Sequence, residues 1–375
     1  MLMVGMPKSV CIIGAGTIGL VLAKALASSG IETDIYESKA KVSEGAKKAS
    51  GVISKIGLDD IGVNYEGSII NHLNGAFLHS SSEKLEIRSK DTKAYVIDRG
   101  RYVEECAHEA KQAGAKIYLH TRFSQRDLVR LKDQYDVVVG ADGAVSTVAK
   151  AFSFPPLNSY VLTYKAEYMG AEVTDAHMVD LFFDSALTRN FFAWTIPYSS
   201  DIIELGLGID SSYRRNSSSV FEEFKNKPPI LRKLGPAKLL SNHASMIPLE
   251  VRGVTVKGNV LLVGDSAGQT KPTTGGGIVF GAGCAKIAAN SITRYLEHNT
   301  PLQNYERAWR KKYGLEIFLH GKIHKLYSSS SPARMDTLFR VIKRLGGEKF
   351  LGRYGDMDRP SVMLKRLLFR GLIGD

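Results

Sequence analysis

Short apolar runs and helical repeats alternate through the first third of the chain. Val10 to Ile13 is an apolar run that enters a glycine turn, then a helical pattern from Leu20 to Gly30, then a second apolar run ending at Glu37. Uninterrupted apolar runs are expected of parallel strands covered on both faces, so this reads as a βαβ unit. Gly75 to Asp98 instead alternates apolar and polar positions, as a β-ribbon does, with Arg99 at its end. A helix over Tyr102–Ala113 and a strand over Ala115–Thr121 return the chain to the first sheet. Tyr135 to Gly140 is again a buried-strand pattern, followed by the turn Ala141-Asp142-Gly143 and a helix starting near Ser146.

After Pro155-Pro156 the pattern changes to β-rich, with candidate strands at 161–170, 178–184, 191–197 and 202–210. Ser217 to Leu240 reads as a polar helical connection. Val260 to Val263 is a further buried strand, and the helix from about Gly277 to His298 is apolar around so much of its circumference that it requires burial. Another helix covers Pro301–Tyr327, and Ser328–Pro332 is a polar break. Met335, Leu338, Phe339, Ile342 and Leu345 then repeat at helical spacing, and a second basic, apolar segment follows at Met363–Ile373. Two readings of this tail stand: docking onto the body, or peripheral contact with a membrane.

The expected architecture is α/β: a three-layer Rossmann-like domain (1–74, 95–154 and 255–300) interleaved with an antiparallel β-sheet domain (75–94 and 155–254). A basic helical region (301–375) follows. With 375 residues and 44% hydrophobic content the chain can bury a large core. No apolar run is long enough to span a membrane, and the apolar segment before Gly14 is too short for a signal peptide. A cytoplasmic protein is expected, with peripheral attachment at the inner membrane surface as its membrane option. Cys11, Cys106 and Cys284 lack metal-ligand spacing and read as buried thiols. The net charge is +12, and from Pro301 onwards 16 Lys and Arg stand against 7 Asp and Glu. That field suits an anionic lipid surface, a phosphate-bearing substrate or an acidic electron-transfer partner. No nucleic-acid-binding module accompanies it, so no nucleic-acid partner is expected.

Three motifs carry the chemistry. Gly14-Ala15-Gly16-Thr17-Ile18-Gly19 lies between strand and helix: Gly14 for the tight turn, Gly16 for close approach of a pyrophosphate, Gly19 for helix–strand packing. Glu37, about twenty residues on, is placed to bind ribose hydroxyls. Asp142 and Gly143 form a second strand-to-glycine turn; Asp142 either caps the next helix or meets the same ligand. The third stretch, Val260 to Gly281, sets Asp265 at a strand end to accept from a sugar-like hydroxyl. Its glycines Gly275, Gly276 and Gly277 bring amides to a helix start that favours an anionic or carbonyl-bearing ring. Lys39 to Asn64 reads as a surface loop or as a segment lying along the cofactor. Phe182, Phe183, Phe191, Phe192, Trp194 and Tyr198 are either core or the wall of an apolar pocket. No metal site is expected: His320 and His324 are four apart but lack the glutamate of H-E-x-x-H. Ser266 lacks the spacing of a nucleophile elbow.

Together, the glycine fingerprint with Glu37, the GADGAVS turn and GDSAG followed by PTTGGGI resemble the flavoprotein superfamily of para-hydroxybenzoate hydroxylase. Within it, GDSAGQTKPTTGGGI is similar to the form found in the geranylgeranyl reductase family, of the archaeal digeranylgeranylglycerophospholipid reductase type. Phe192-Ala193-Trp194-Thr195-Ile196-Pro197, then eight residues, then Gly206-Leu207-Gly208 matches that family's Y-x-W-x-F-P element in spacing, with Phe192 and Ile196 substituted. The resemblance covers roughly Ser9 to His298. It implies an FAD-binding domain of the glutathione-reductase type, with cofactor contacts at Ile18, Glu37, Ala49, Gly51, Arg99, Phe123, Asp265, Pro272, Gly277 and Ile278. It also implies a lipid pocket shaped by Phe192, Trp194, Ile196, Pro197, Gly206 and Gly208. Many relatives carry a cysteine where this chain reads Lys48-Ala49-Ser50-Gly51.

The expectation is therefore an FAD-dependent enzyme that reduces double bonds of an isoprenoid lipid or prenyl diphosphate. Its electron donor is open between NAD(P)H and an acidic ferredoxin, and its proton donor is unassigned. Two competitors share the cofactor elements: a monooxygenase of an apolar or aromatic substrate, and a non-catalytic flavin-containing lipid-binding protein.

Overall fold

A computed structural model describes residues 8–373, with side chains described through Leu368. Its first sheet has six strands in the order Val256–Lys257, Val260–Leu262, Val137–Gly140, Ser9–Ile13, Glu32–Tyr36 and Lys116–Tyr118. All pairs are parallel except the outermost, Val256–Lys257 with Val260–Leu262. The central strands are buried on both sides, which is why they carry no alternation. Val10, Ile12, Val137, Val139 and Leu261 face Leu22, Tyr102, Ala285 and Trp309 on one side. Cys11, Val138, Val260 and Leu262 face Leu128, Val148 and Phe154 on the other. The three cysteines are free and buried.

The second sheet has seven strands in the order Lys238–Pro248, Tyr160–Met169, Ile202–Asp210, Ala193–Pro197, Met178–Phe182, Gly75–His79 and Lys84–Arg88. Its pairs are antiparallel except Met178–Phe182 with Gly75–His79. Helices Ser217–Lys225 and Pro228–Leu234 cover one face through Val220, Phe221, Phe224 and Ile230. Phe191, Phe192, Trp194 and Ile196 belong to a separate cluster with Leu73, Val96 and Met357.

Three readings of the pattern are corrected. The 75–98 ribbon divides: the 75–88 hairpin joins the large sheet, whereas Ala94–Ile97 pairs with Val52–Ser54 and Ile69–Leu73 in a small third sheet. All four residues of Ala94–Ile97 are buried, unlike the half-buried hairpin. The polar stretch 39–64 is no plain loop. It contains the strand Val52–Ser54 and the helix Lys55–Ile61, started by Ser54 Oγ accepting from Gly57 N and stopped at Gly62 with φ 69°. Finally, helix ends at Leu234, and Lys238–Pro248 is an edge strand along Tyr160–Met169. Its Lys-Leu-Leu-Ser-Asn-His sequence carries little β-propensity; pairing to a neighbour distant in sequence decides it.

The tail forms helices Asn304–Ser328, Pro332–Arg344, Gly347–Tyr354 and Pro360–Ile373. Met335 and Phe339 bury against Leu85, with Leu78, Phe183, Leu338 and Ile342 packed around them, so this part docks on the hairpin. Leu345, at 79% exposure, leaves the stripe. Of the Met363–Ile373 segment, Leu364, Leu367 and Leu368 are exposed, and the side chains beyond Leu368 lie outside the described residues. No helix among the described residues is long and apolar enough to cross a membrane.

Candidate functional site

Parallel strands end together, so the turns that follow them gather at one sheet edge. Here Gly14 to Thr17, Glu37, Ala141 to Gly143 and Asp265 line one cavity of about 900 Å³, which runs on to Phe191, Phe192, Trp194 and Ile196 in the large sheet. At its first end the glycines have separate tasks. Gly14 has φ +106°, and a Cβ there would stand 2.5 Å from Ala141 O, so the two glycine turns press together. A Cβ on Gly19 would stand 2.0 Å from Gly14 O, which brings the helix Thr17–Ser28 against its strand. Gly16 lines the cavity, and a Cβ there would meet no protein atom within 4 Å. Glu37 accepts from Ala15 N and Lys39 N, both at 3.0 Å, and Phe123 stands edge-on to Tyr36 beside it.

Of the two alternatives for Asp142, the helix cap is present. Its Oδ2 caps the next helix by accepting from Thr147 N at 2.7 Å and Val148 N at 3.0 Å, while Oδ1 is buried without a partner. Burial pushes this carboxyl up, against those hydrogen bonds. Thr17 Oγ1 and Arg99 Nε are likewise buried and unpartnered. All three residues line the cavity, and orphaned buried polar atoms are costly unless a partner satisfies them. Arg99 opens the helix Arg99–Gln112, and burial lowers its guanidinium from the ordinary value, opposed among others by Asp265. Burial pushes Asp265 up to about 6, with Arg99 holding it down. Thus a carboxyl and a guanidinium, both short of partners, face the middle of the cavity.

The glycine run threads between side chains that leave no room for a Cβ. At Gly275 (φ +71°) it would meet Ile247 at 2.9 Å, at Gly276 Lys271 Cε at 2.8 Å, and at Gly277 Asp265 Oδ1 at 2.5 Å. Gly277 then starts the helix Ile278–His298, and Gly277, Ile278 and Val279 line the cavity. On the far wall, Trp194 donates from Nε1 to Glu204 Oε1 at 2.8 Å. Glu204, fully buried, also accepts from Tyr198 OH at 2.8 Å and Lys165 Nζ at 2.6 Å. The indole is therefore held by a carboxylate with every oxygen engaged.

Of the residues singled out in the sequence, Gly14, Gly16, Ile18, Glu37, Ala49, Arg99, Phe123, Asp142, Gly143, Asp265, Gly275 to Ile278, Phe192, Trp194 and Ile196 line the cavity. Gly19, Gly51, Pro272, Pro197, Gly206 and Gly208 stand behind it. Gly51 lets its strand close on Ile97, since a Cβ would be 2.3 Å from Ile97 O. Gly206 makes room for the Trp194 ring, 2.4 Å from a Cβ, and Gly208 for Phe191 and Val161. The pair shapes the pocket from beneath rather than lining it. His320 Nδ1 pairs with Thr273 Oγ1 and Nε2 faces Asp358 O, while His324 Nε2 pairs with Asn190 O, so the two rings serve different partners. Ser266 Oγ is buried within reach of Gly140 O and Val263 O. Sequence reasoning missed Lys165, Glu204, Lys271 and Asp358. Lys271 sat inside a motif already singled out; Asp358 had no local signal.

The profile of the FAD binding domain family matches residues 8–297. An uncharacterised protein of Methanocaldococcus jannaschii is 29% identical, the alignment covering 96% of this chain and 94% of that one. A digeranylgeranylglycerophospholipid reductase of the same organism is 26% identical over 94% of this chain and 96% of its own. Among solved structures, a geranylgeranyl bacteriochlorophyll reductase-like protein of Thermoplasma acidophilum superposes with a TM-score of 0.81 at 18% identity, covering 96% of both chains. A flavin-dependent brominase gives 0.72 at 14% identity, covering 97% of this chain and 98% of its own. At those identities the solved structures speak to the fold.

Proposed function

The chain belongs to the FAD-binding domain family, and from that premise we propose that it is an oxidoreductase reducing carbon–carbon double bonds of an isoprenoid chain on a lipid or prenyl diphosphate. The observation that carries this reading is the single cavity joining the Gly14–Gly19 turn to the apolar wall around Trp194. Relatives along the whole chain named digeranylgeranylglycerophospholipid reductase support it. FAD suits the polar half. Gly16 and the following helix start would take the pyrophosphate, Glu37 the adenosine ribose, Asp142, Arg99 and Asp265 the middle of the cofactor, and Gly276 to Ile278 the ring. Bound there, FAD supplies the hydride chemistry that no side chain has.

The rest falls to the chain's own residues. Phe191, Phe192, Trp194, Ile196, Leu181 and Met357 give an apolar wall that holds an isoprenoid and excludes water. Glu204 and Lys165 keep the indole in one orientation, which fixes the depth of the pocket. The basic tail would serve an anionic headgroup or lipid surface, and an acidic ferredoxin or NAD(P)H would bring electrons.

The test is anaerobic incubation of dithionite-reduced holoprotein with prenyl diphosphates and geranylgeranyl ether lipids, followed by mass spectrometry. The expected product gains one H2 for each bond reduced. Saturation that occurs only with oxygen present, or no saturation of any isoprenoid, would sink the reading.

A further inference from the structure

We propose that Lys271 is the proton donor for the alkene, held in place by Asp358 from the C-terminal tail; this rests on the reductase reading above. Lys271 lies between the 3-10 turn Gly264–Ala267 and the glycine run, and its backbone is fixed beneath that run: its N donates to Gly276 O at 3.0 Å and its O accepts from Gly275 N at 2.8 Å. The side chain passes along Gly276 and lines the same cavity as Phe192 and Trp194. Nζ donates to Asp358 Oδ1 at 2.5 Å and Met357 O at 3.3 Å. An ammonium carries three N–H groups, and among the described residues these two acceptors are its partners. The third N–H has no acceptor among the described residues, and Lys271 lines the cavity.

Asp358 is itself 3% exposed, and its second oxygen accepts from Ser54 Oγ. Burial alone would raise this carboxyl, but the charge and hydrogen bond of Lys271, with Ser54, hold it below its ordinary value. A buried ion pair of this kind is a weak source of stability, and its placement against the glycine run asks for another use. His320, next to Asp358, is pushed down to about 4 by burial and then by the charge of Lys271, so it is neutral and does not compete as acid. The other lysine on the apolar wall, Lys165, lies between Glu204 at 2.6 Å and Glu167 at 3.5 Å. Its partner Glu204 is committed to Trp194 and Tyr198. Lys165 orients the wall; Lys271 faces the reacting end.

Saturating an alkene breaks the π bond and forms two C–H bonds. One carbon would take a hydride, with its electron pair, which reduced FAD held along the glycine run would supply. The other takes the proton from Lys271 Nζ. The lysine is left as a neutral amine and regains a proton from water, while Asp358 stays ionised throughout. Apart from Lys165, which is committed to Glu204 and Glu167, the aromatic and aliphatic wall offers no comparable acid among the described residues.

Two variants test this in the reduced, FAD-loaded full-length protein: Lys271→Arg, which keeps the ion pair but cannot release its proton, and the double variant Lys271→Met with Asp358→Asn, which removes both buried charges together. Geranylgeranyl diphosphate and a geranylgeranyl ether lipid are the probes, mixed anaerobically. Reoxidation of the flavin is followed by absorbance in H2O and D2O. Lipid binding is read from perturbation of the oxidised flavin spectrum, and the midpoint potential of the bound flavin is measured alongside. Both variants are expected to bind lipid and keep the potential, yet to reoxidise about 100-fold more slowly or worse, the usual weight of a general acid. Wild-type reoxidation should slow in D2O. Reoxidation of Lys271→Arg at the wild-type rate would assign the lysine a charge role only, and weakened lipid binding with an unchanged reoxidation rate at saturation would assign it a binding role; either overturns the proposal. If the wild-type protein is reoxidised by neither probe, the isoprenoid reading fails first and this one with it.

Discussion

A side chain at Gly16 would enter space that the protein leaves open towards the cavity. Gly16→Val is therefore expected to fold and to purify colourless, because the added methyls occupy the approach of the pyrophosphate; a variant that keeps its flavin absorbance overturns the cofactor placement. Asp265 has the opposite balance. Its carboxyl is raised to about 6, so ionisation at neutral pH works against the apoprotein fold. Asp265→Asn should raise apoprotein stability at pH 7 by about 1–3 kcal/mol in denaturant titrations while weakening FAD retention measured by equilibrium dialysis. Trp194→Ala should leave the yellow colour and depress isoprenoid turnover, since the indole lies on the apolar wall. Trp194→Phe isolates the hydrogen bond to Glu204: leaving that buried oxygen without its donor costs about 1–3 kcal/mol of stability by thermal melts. The glycines of the Trp motif belong to this scale as well. The resemblance implied that Gly206 and Gly208 shape the pocket, and the ring of Trp194 fills the place of a Gly206 side chain.

Elements were legible where burial on both faces or helical spacing dominates the composition. The strands Ser9–Ile13 and Val137–Gly140 and the helix Ile278–His298 are of that kind. Lys238–Pro248 was not, because an edge strand takes its hydrogen bonds from one neighbour and needs little apolar patterning. The 52–61 strand and helix were hidden by polar residues that turn out to be caps and cavity lining. The tail helix Pro332–Arg344 showed its apolar stripe in the sequence but not its seat. Phe339, 4% exposed, packs with Met335 on Leu85 and edge-on to Phe183. Phe339→Ala should cost about 3–5 kcal/mol at that seat and should make Ser328–Ser331 a preferred site of limited proteolysis. Unchanged cleavage would mean that the helix does not depend on this contact.

Across the whole molecule, the tail and the FAD-binding body meet in one buried polar network of Ser54, Lys271, Thr273, His320 and Asp358. The network makes acid stability a property of their junction. Burial, aided by Lys271 and opposed by Asp358 and Asp356, lowers His320 from 6.5 to about 4. The unfolded chain takes up this proton near 6.5 and the folded chain does not until about 4, so the stabilisation is complete above 6.5 and lost as pH falls towards 4. Up to about 3 kcal/mol is involved, and His320→Asn should flatten that limb of a stability–pH curve. By itself, the sequence determined the parallel-sheet domain and its glycine turns, because those depend on local backbone geometry: a turn that needs glycine, a strand that needs apolar faces, a helix start that offers amides; FAD followed from the resemblance of those motifs to a flavoprotein family. Only the tertiary structure decided that Asp358 reaches Lys271, that Glu204 holds Trp194 and that Gly206 makes room for the Trp194 ring. Those pairings join residues far apart in the chain, where burial and charge compensation, rather than local propensity, select the partner.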